Sequence, residues 1–342
     1  MSHRLFTGFF VAAALLLGSM TSGSAASVAD FYRSKTVKIV VSFGAGGTYG
    51  LYARLVSQHW PKHIPGSPTI VVQHMPGAGG IKAANFVYNA SPKDGTEIGM
   101  LVDTMVISQL LRPKKVRFDA TKFQFLGSAV GTPHVIAVRK DSGVTSLADM
   151  KKKVVKLGST GTGSPTFLLP TIVGALIGTK AKIVKGYKGS RSITVAIERG
   201  EVQGMSLAWI SWKAQKSAWF KSGFMVPIIT VGMKREPDLP NIPSLVELTK
   251  TQADRDIATF MSSYAVMGRS FTFPPGVPKD RVKALRVAFD KMVKDPAFLA
   301  DAKKRNVPVS PKTGQELEAF IAKAMKIDAK LVARTRKAIF GK

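Results

Sequence analysis

The chain is 342 residues long, and 50 lysine and arginine residues against 21 aspartate and glutamate residues give it a formal net charge of +29. It has no cysteine, which excludes disulfides, a thiolate nucleophile and cysteine-ligated zinc or iron–sulfur sites. The length is sufficient for two domains with a substantial core. The basic residues are scattered and no aromatic residues are interleaved with them, so the charge favours a solvated surface that attracts anions over a nucleic-acid site.

The first 26 residues have the features of a secretory signal peptide. Arg4 supplies a positive charge, residues 9–17 form an apolar stretch, and Ser24, Ala25 and Ala26 form a small-residue cleavage site. The alternative, an N-terminal membrane anchor, is disfavoured because this stretch is shorter than the roughly 20 apolar residues of a spanning helix. We therefore expect residues 1–26 to be removed and the mature protein to be periplasmic.

Two glycine-rich turns each follow a run of β-branched residues and precede a helical pattern. The runs lie at 37–41 and 70–72, and the turn glycines are Gly44, Gly46, Gly47, Gly77, Gly79 and Gly80. Short apolar runs of this kind are typical of parallel strands buried on both faces. Glycine lets backbone N–H groups point at a ligand without an intervening Cβ, and the helix that follows adds a positive end charge. The turns therefore predict a binding cleft for an anion.

The alternation of strand, turn and helix continues along the chain. We predict further strands at 97–102, 154–157, 182–184, 202–207, 226–231 and 264–267, and we interpret 125–130 and 135–139 as the crossing into a second unit. Predicted helices lie at 147–153, from the turn at 158–167 to about residue 176, at 193–199, at 279–294 and at 315–338.

The composition changes twice, which indicates two α/β lobes joined by a hinge. The first change lies near residue 130, and the second is the proline-rich segment 232–246. We predict that residues 27–129 together with 233–342 form the first lobe and that residues 130–232 form the second. The ligand cleft is then expected between them.

Motifs for catalysis and for cofactors are absent from the sequence. A dinucleotide fingerprint would need glycine where Tyr49 stands, and no phosphate-binding GxxxxGK[ST] loop occurs. A hydrolase elbow around Ser159 fails because Leu157 occupies the position of its first glycine. His59 and His63 have the spacing of a metal pair, but Pro61 lies between them and interrupts the helix. We therefore expect no catalytic residues, no cofactor and no metal.

Several aromatic and histidine residues remain as candidates for the cleft. Tyr49 and Tyr187 lie in predicted ligand loops, although each also suits packing across the cleft. Trp209, Trp212 and Trp219 suit either a cleft wall or an interface between lobes. His134 follows Pro133 at the first crossing between lobes, where a hinge or cleft-edge role stays open alongside a structural one.

The sequence resembles the receptor proteins of tripartite tricarboxylate transporters, periplasmic solute-binding proteins also called the Bug family. The resemblance covers nearly all of residues 30–340. Its carriers are VSFGAGGTYGLYARL at 41–55, QHMPGAGG at 73–80, SPKDGTEIGML at 91–101, GSTGTGS at 158–164, GYKGS at 186–190, ERGEVQG at 198–204 and PDLPNIPSLVEL at 237–248. The PGAGG turn in that position is the most specific of them.

This resemblance implies a type II periplasmic-binding-protein fold, in which two α/β lobes close over the ligand. In the family, backbone amides and hydroxyls of the first loop and of the turn in the second lobe grip a carboxylate. Carried onto this sequence, that points to Ala45, Gly46, Gly47, Thr48, Tyr49, Ser159, Thr160, Gly161 and Ser164, to which the loop position of Tyr187 adds a tenth candidate. Gly50 stands where the commonest pattern has an aspartate, so the identity of the ligand does not carry over.

Four classes of function follow from these observations. The first is a monomeric, non-catalytic receptor that captures a small mono- or dicarboxylate and delivers it to the permease subunits of a tripartite tricarboxylate transporter. An anion sensor that presents its ligand to a signalling partner would share every cleft residue. A secreted enzyme would need a base with a partner, which no motif supplies. A cationic surface or nucleic-acid binder would show steep salt dependence and low small-molecule affinity.

Overall fold

The computed structural model describes residues 27–341. The predicted signal peptide, residues 1–26, lies outside the described residues. None of the helices in the described part of the chain combines the length and the apolar content that crossing a membrane requires.

One of the two sheets has six strands and contains both strands that precede the glycine-rich turns. Its spatial order is β11-β4-β10-β3-β1-β2, where β1, β2 and β3 are parallel and β10 runs antiparallel to β3 and β4. In β1 the side chains of Val37, Ile39, Val40 and Val41 are fully buried, as the β-branched run predicts. The strands are β1 Thr36–Val41, β2 Thr69–His74, β3 Glu97–Met100, β4 Gln124–Ser128, β10 Ser270–Phe273 and β11 Lys312–Thr313.

The second sheet has five strands in the order β7-β6-β8-β5-β9. Strands β6, β7 and β8 are parallel, and β5 is antiparallel to both β8 and β9. The strands are β5 His134–Arg139, β6 Val155–Ser159, β7 Ala181–Lys185, β8 Gly204–Ala208 and β9 Met225–Val231. With helices packed on both sheets, this confirms the predicted fold class of two α/β lobes.

Helices connect and cover the two sheets. Those that follow a glycine-rich turn begin at Thr48, Ile81, Pro165 and Ser190, next to the carboxyl ends of the strands. The helices are α1 Val28–Tyr32, α2 Thr48–His59, α3 Ile81–Asn89, α4 Met105–Leu111, α5 Leu147–Lys152, α6 Pro165–Ile177, α7 Ser190–Glu198, α8 Trp209–Lys221, α9 Gln252–Ser262, α10 Lys279–Met292, α11 Pro296–Lys304, α12 Gly314–Ala324 and α13 Ala329–Phe340.

Helices from both ends of the chain complete the core on one face of the second sheet. That core includes Ile107 of α4, Phe260 of α9 and Ile339 of α13, together with side chains of β5, β6 and β9. Helices from outside residues 130–232 therefore pack against the second sheet. The exact lobe boundaries, 27–129 with 233–342 and 130–232, stay a prediction.

Three local predictions are wrong. The run at 70–72 does form a strand, but β2 lies at the edge of its sheet and Val71 is exposed, so it is not buried on both faces. Residues 264–266 belong to the 3₁₀ helix Ser263–Val266, Met267 is its C-cap, and the strand begins three residues farther on as β10. Tyr264 and Met267 are both buried because one helical turn brings side chains three apart to the same face. The terminal helix predicted at 315–338 is divided into α12 and α13, since the side chain of Asp328 accepts a hydrogen bond from the Leu331 N–H and starts a second helix.

Candidate functional site

Three helix N-termini converge on one cavity between the sheets. Residues from the first turns of α2, α6 and α7, namely Thr48, Thr166 and Ser190, all line it. No side chain caps α2 or α6, at α7 the Gly189 N–H donates to Ser192 Oγ, and none of the three helices has an acidic residue in its first turn. The positive end charges of these helices, together with the N–H groups at the start of α2, make the cavity favourable for an anion.

The cavity is small. The volume open to the centre of a water molecule is about 40 Å³, and this is room for roughly three waters. Its walls come from both sheets and their following turns: Phe43, Gly47, Thr48, Tyr49, Asp103, His134, Thr160, Ser164, Pro165, Thr166, Ser190, Leu207 and Arg269.

Arg269 brings a buried positive charge to this cavity. It precedes β10, and its backbone pairs with Ala129 and Val130 at the first crossing between the sheets. Its Nη2 donates to Thr48 Oγ1 at 3.0 Å and to Ser211 Oγ at 3.4 Å. The residue is 2% exposed, and its Nε and Nη1 have no hydrogen-bond partner. A buried guanidinium with unused donors is suited to bind an acceptor.

Asp103 lies beside Arg269 at the end of the loop that follows β3. Its Oδ2 accepts a hydrogen bond from Thr132 Oγ1 at 3.0 Å and lies 3.5 Å from Nη1 of Arg269, an ion pair without hydrogen-bond geometry. Burial raises the pKa of Asp103, whereas the charge of Arg269 lowers it, and burial has the larger effect. Oδ1 is buried and has no partner.

His134 and Tyr49 complete the polar wall. Burial, and secondarily the charge of Arg269, hold the pKa of His134 well below its usual range, so the imidazole is neutral at neutral pH. The centre of the Tyr49 ring lies 3.9 Å from the guanidinium carbon of Arg269, and the Tyr49 hydroxyl accepts a hydrogen bond from the Asp103 N–H at 3.0 Å. Tyr49 thus supports Arg269 and Asp103 from one side.

Direct hydrogen bonds join the two sides of the cleft. The Gly44 N–H donates to the Lys188 carbonyl at 3.1 Å, and Thr48 Oγ1 lies 2.5 Å from Ser211 Oγ. On the opposite rim Thr104 Oγ1 donates to the Gly163 carbonyl at 2.7 Å. These contacts describe a closed cleft.

The glycines of the two turns are needed for different reasons. Gly47 has a φ of −98°, which any residue adopts, but a Cβ there would lie 2.8 Å from Ser190 Oγ. Gly79 has a φ of +69°, and a Cβ on it would meet the backbone nitrogen of Ser164 at 2.7 Å. Both turns therefore allow close approach of the opposite side, and the second turn also requires glycine for its conformation.

The structure brings together half of the ten site residues predicted from the sequence. Gly47, Thr48, Tyr49, Thr160 and Ser164 line the cavity. Ala45, Gly46 and Tyr187 lie in a neighbouring open groove. Ser159 is fully buried against the Thr166 hydroxyl, and Gly161 packs against Gly79. These last two are not among the cavity-lining residues.

The sequence reasoning missed Asp103 and Arg269, and it left His134 undecided. Asp103 had a usable signal, because it follows a buried strand at the edge where ligands bind in α/β sheets. Arg269 is a single charge between Gly268 and the apolar strand β10, and only its burial distinguishes it from the other basic residues.

Two other groups of candidates lie elsewhere. Trp209 and Trp212 are buried in a core on the second sheet, and the tryptophans are not part of the cavity wall. His59 Nε2 lies 3.1 Å from Asp301 Oδ2 in α11, and His63 Nε2 lies 2.8 Å from Oδ2 of Asp295, the N-cap residue of α11.

Comparison with known proteins shows the fold and the family of this chain. A relative from Bordetella bronchiseptica, described as a UPF0065 protein, is 25% identical over 297 residues, covering 85% of this chain and 81% of the relative. The solved periplasmic binding protein BugD superposes with a TM-score of 0.70 at 23% identity, over 89% of this chain and 97% of BugD.

A second solved structure is MatC from Rhodopseudomonas palustris with bound malate. Its TM-score is 0.67 at 19% identity, over 89% of this chain and 99% of MatC. These likenesses show the fold of a periplasmic binding protein. The sequence profile described as "Tripartite tricarboxylate transporter family receptor" matches residues 53–336, more than half of the chain. The chain therefore belongs to the tripartite tricarboxylate transporter receptor family.

Proposed function

We propose that this protein is a monomeric, non-catalytic periplasmic receptor that captures a small organic carboxylate between its two lobes. The observation that carries the proposal is the closed cavity, which combines three helix N-termini with the unused donors of Arg269. The carboxylate would be bound by the backbone of Gly47, Thr48 and Tyr49 and by polar groups of Thr160 and Ser164. Malate in MatC supports a carboxylate as the ligand class.

The open groove beside the cavity supports the same function. It is lined by Ala45, Gly46 and Tyr187, with the basic side chains of Lys188, Arg191 and Arg199 and one acidic residue, Glu201. Basic side chains at such a position attract anions and raise their rate of association. Ala45, Gly46 and Tyr187 would then form the entrance, while Ser159 and Gly161 shape the turn behind the cavity.

Delivery to a permease is the second part of the proposal. Membership of a transporter receptor family supports it, and so does export, for which we infer removal of residues 1–26. Deletion of the gene should abolish uptake of the labelled ligand and leave uptake of an unrelated solute unchanged. Normal uptake, with loss of a transcriptional response to the ligand, would favour a sensor instead.

A thermal-shift screen tests the binding function directly. A ligand that binds only the folded protein raises apparent stability by roughly 2.7 kcal/mol at a hundredfold excess over its dissociation constant. We expect at least one small carboxylate to raise the melting temperature, and the corresponding amide to have no effect. A panel of mono-, di- and tricarboxylates without any shift would contradict the proposal.

A further inference from the structure

Arg269 and Asp103 together restrict the class of ligand. Within the described residues that line the cavity, Arg269 is the one cationic side chain, because His134 is neutral. Its Nη2 is already bonded to Thr48 and Ser211, and Nη1 lies 3.5 Å from Asp103 Oδ2, but neither Nε nor Nη1 makes a hydrogen bond. A guanidinium buried to this degree loses water without replacement unless a ligand supplies an acceptor. A ligand carboxylate is the acceptor that matches its charge and shape.

Asp103 places the opposite requirement on the rest of the ligand. Its Oδ2 is bonded to Thr132, while the buried Oδ1 has no partner in hydrogen-bond geometry, although the Tyr49 hydroxyl lies close enough to the carboxylate to lower the pKa of Asp103. A second carboxylate on the ligand would find no second cation in the cavity, so its loss of water would cost free energy. It would also lie near the Asp103 carboxylate, which would repel it. A hydroxyl or an ammonium group would instead donate to Oδ1.

The size of the cavity sets the length of the ligand. A closed space of about 40 Å³ for water-sized sphere centres holds roughly three waters. A two- to four-carbon acid displaces about that much water, whereas adipate would require a wider cleft. The hydrogen bonds between Gly44 and Lys188 and between Thr48 and Ser211 would have to break for such widening.

We propose that the ligand is a short monocarboxylate with a hydroxyl or ammonium group on the carbon next to the carboxylate. Arg269 receives the carboxylate through Nε or Nη1, together with the N–H groups at the start of α2. Asp103 Oδ1 accepts the hydrogen bond of the neighbouring donor. This inference rests on the proposed receptor function and specifies its substrate class.

Calorimetric titration of the wild-type protein tests the class. The probes are L-lactate, glycolate and L-alanine, with propionate as the match that lacks the donor and with malate and adipate as dicarboxylates. Losing one hydrogen bond to a buried charged group costs roughly tenfold or more in affinity. We expect lactate or alanine to bind at least tenfold more tightly than propionate and than either dicarboxylate. Tighter binding of lactate would identify a hydroxyl as the donor to Asp103, and tighter binding of alanine an ammonium group.

The outcomes separate this inference from the proposed function. Tighter binding of malate or adipate than of every short acid would overturn the inference and leave the receptor function intact. Equal binding of lactate, alanine and propionate would also overturn it. If no carboxylate bound at all, the receptor function itself would fail.

Variants then test the two residues. Arg269→Lys keeps the charge but changes the donor geometry, and we expect at least a thirtyfold loss of affinity for the best short acid. Arg269→Met alone leaves Asp103 unpaired and can unfold the protein. The double variant Arg269→Met/Asp103→Asn removes both charges together. We expect it to fold and to bind none of the acids. Arg286→Met is the matched control, since Arg286 bonds to Glu318 and the Phe125 carbonyl outside the cavity. Wild-type affinity in Arg269→Lys and in the double variant would overturn the assignment.

The single variant Asp103→Asn addresses selectivity. It removes the negative charge with little change in shape. We expect its preference for alanine or lactate over propionate to fall at least threefold and its affinity for malate to rise relative to wild type. An unchanged preference order would show that Asp103 does not select the ligand.

Discussion

Thr48 and Ser211 join the two sides of the cleft through hydroxyl oxygens 2.5 Å apart. Thr48 begins α2 beside the first sheet, and Ser211 lies in the first turn of α8, which follows a strand of the second sheet. Both hydroxyls also accept hydrogen bonds from Nη2 of Arg269. One buried group of three side chains therefore links closure of the cleft to the position of the guanidinium.

Replacing Thr48 by valine should weaken ligand binding without unfolding the protein. The change keeps the side-chain volume but removes the bond to Ser211 and one acceptor of Arg269. Hydrogen bonds to charged groups contribute about 1.5 to 3 kcal/mol, so affinity should fall roughly ten- to 150-fold. Calorimetry measures the loss. Thr121→Val, at an exposed turn, is the control that should retain affinity, and unchanged affinity in Thr48→Val would remove its hydroxyl from the site.

Replacing Gly47 by alanine should hinder closure, and a second substitution should restore it. A Cβ at Gly47 would lie 2.8 Å from Ser190 Oγ, the one atom found within 4 Å of it. The φ of −98° carries no strain, so the folded lobes should be unaffected. We expect Gly47→Ala to lower affinity and Gly47→Ala/Ser190→Ala to recover most of it.

Small-angle scattering reports on closure in the same variants. The wild type should contract when a binding carboxylate is added, and Gly47→Ala should contract less at equal saturation. Failure of Ser190→Ala to rescue the single variant would show that the loss does not arise from this contact.

Stability should fall when the pH drops below about 4. A hydrogen bond from Arg305, with a smaller effect of His59, lowers the pKa of Asp301 from its ordinary 3.8 to about 2. Lys62, the Ala297 N–H and His63 lower the pKa of Asp295 still further. Because the unfolded chain takes up these protons first, the stabilisation is complete above the ordinary pKa and is lost as the pH falls towards 2.

Urea denaturation between pH 6 and pH 2.5 checks this dependence. Asp301→Asn should lower stability at pH 6 and reduce the difference between pH 6 and pH 2.5. Asp290→Asn is the control, because burial raises the pKa of Asp290, so its effect on the pH dependence of stability should have the opposite sign. Parallel pH curves for Asp301→Asn and wild type would contradict the account.

We predict that the protein is exported and that its mature form begins at Ser27 or within a residue or two of it. Ser27 caps α1 by accepting a hydrogen bond from the Asp30 N–H, so this helix is complete without the preceding residues. Intact mass of protein from the periplasm measures the cleavage site. A mass that includes residues 9–17 would favour an anchored receptor.

Local patterns predicted the framework well. The β-branched runs predicted β1 and β2, and the first glycine-rich turn led to the N-terminus of α2 at the cavity, whereas the second led to α3, which is not among the cavity-lining elements. Such features depend on neighbouring residues, so the sequence displays them. Helices α1, α4, α8, α9 and α11 were not predicted, and α8 carries the tryptophans that tertiary packing places in a core.

The charged part of the site depends on contacts between distant residues. Arg269 is one of 50 basic residues, and only packing against Tyr49 and Thr48 separates it from those in solvent. Asp103 gains its role from an ion pair with Arg269 across the fold. A single sequence shows each as an isolated charge, so the ion pair could not be predicted from it.

A crystal structure with the carboxylate that raises the melting temperature most is the most direct test of the account. We expect the ligand in the cavity between the lobes, with a carboxylate oxygen about 2.7 to 3.2 Å from Nε or Nη1 of Arg269 and a second oxygen facing the N–H groups at the start of α2. A ligand bound on the basic outer surface, with the cavity unchanged, would contradict the account.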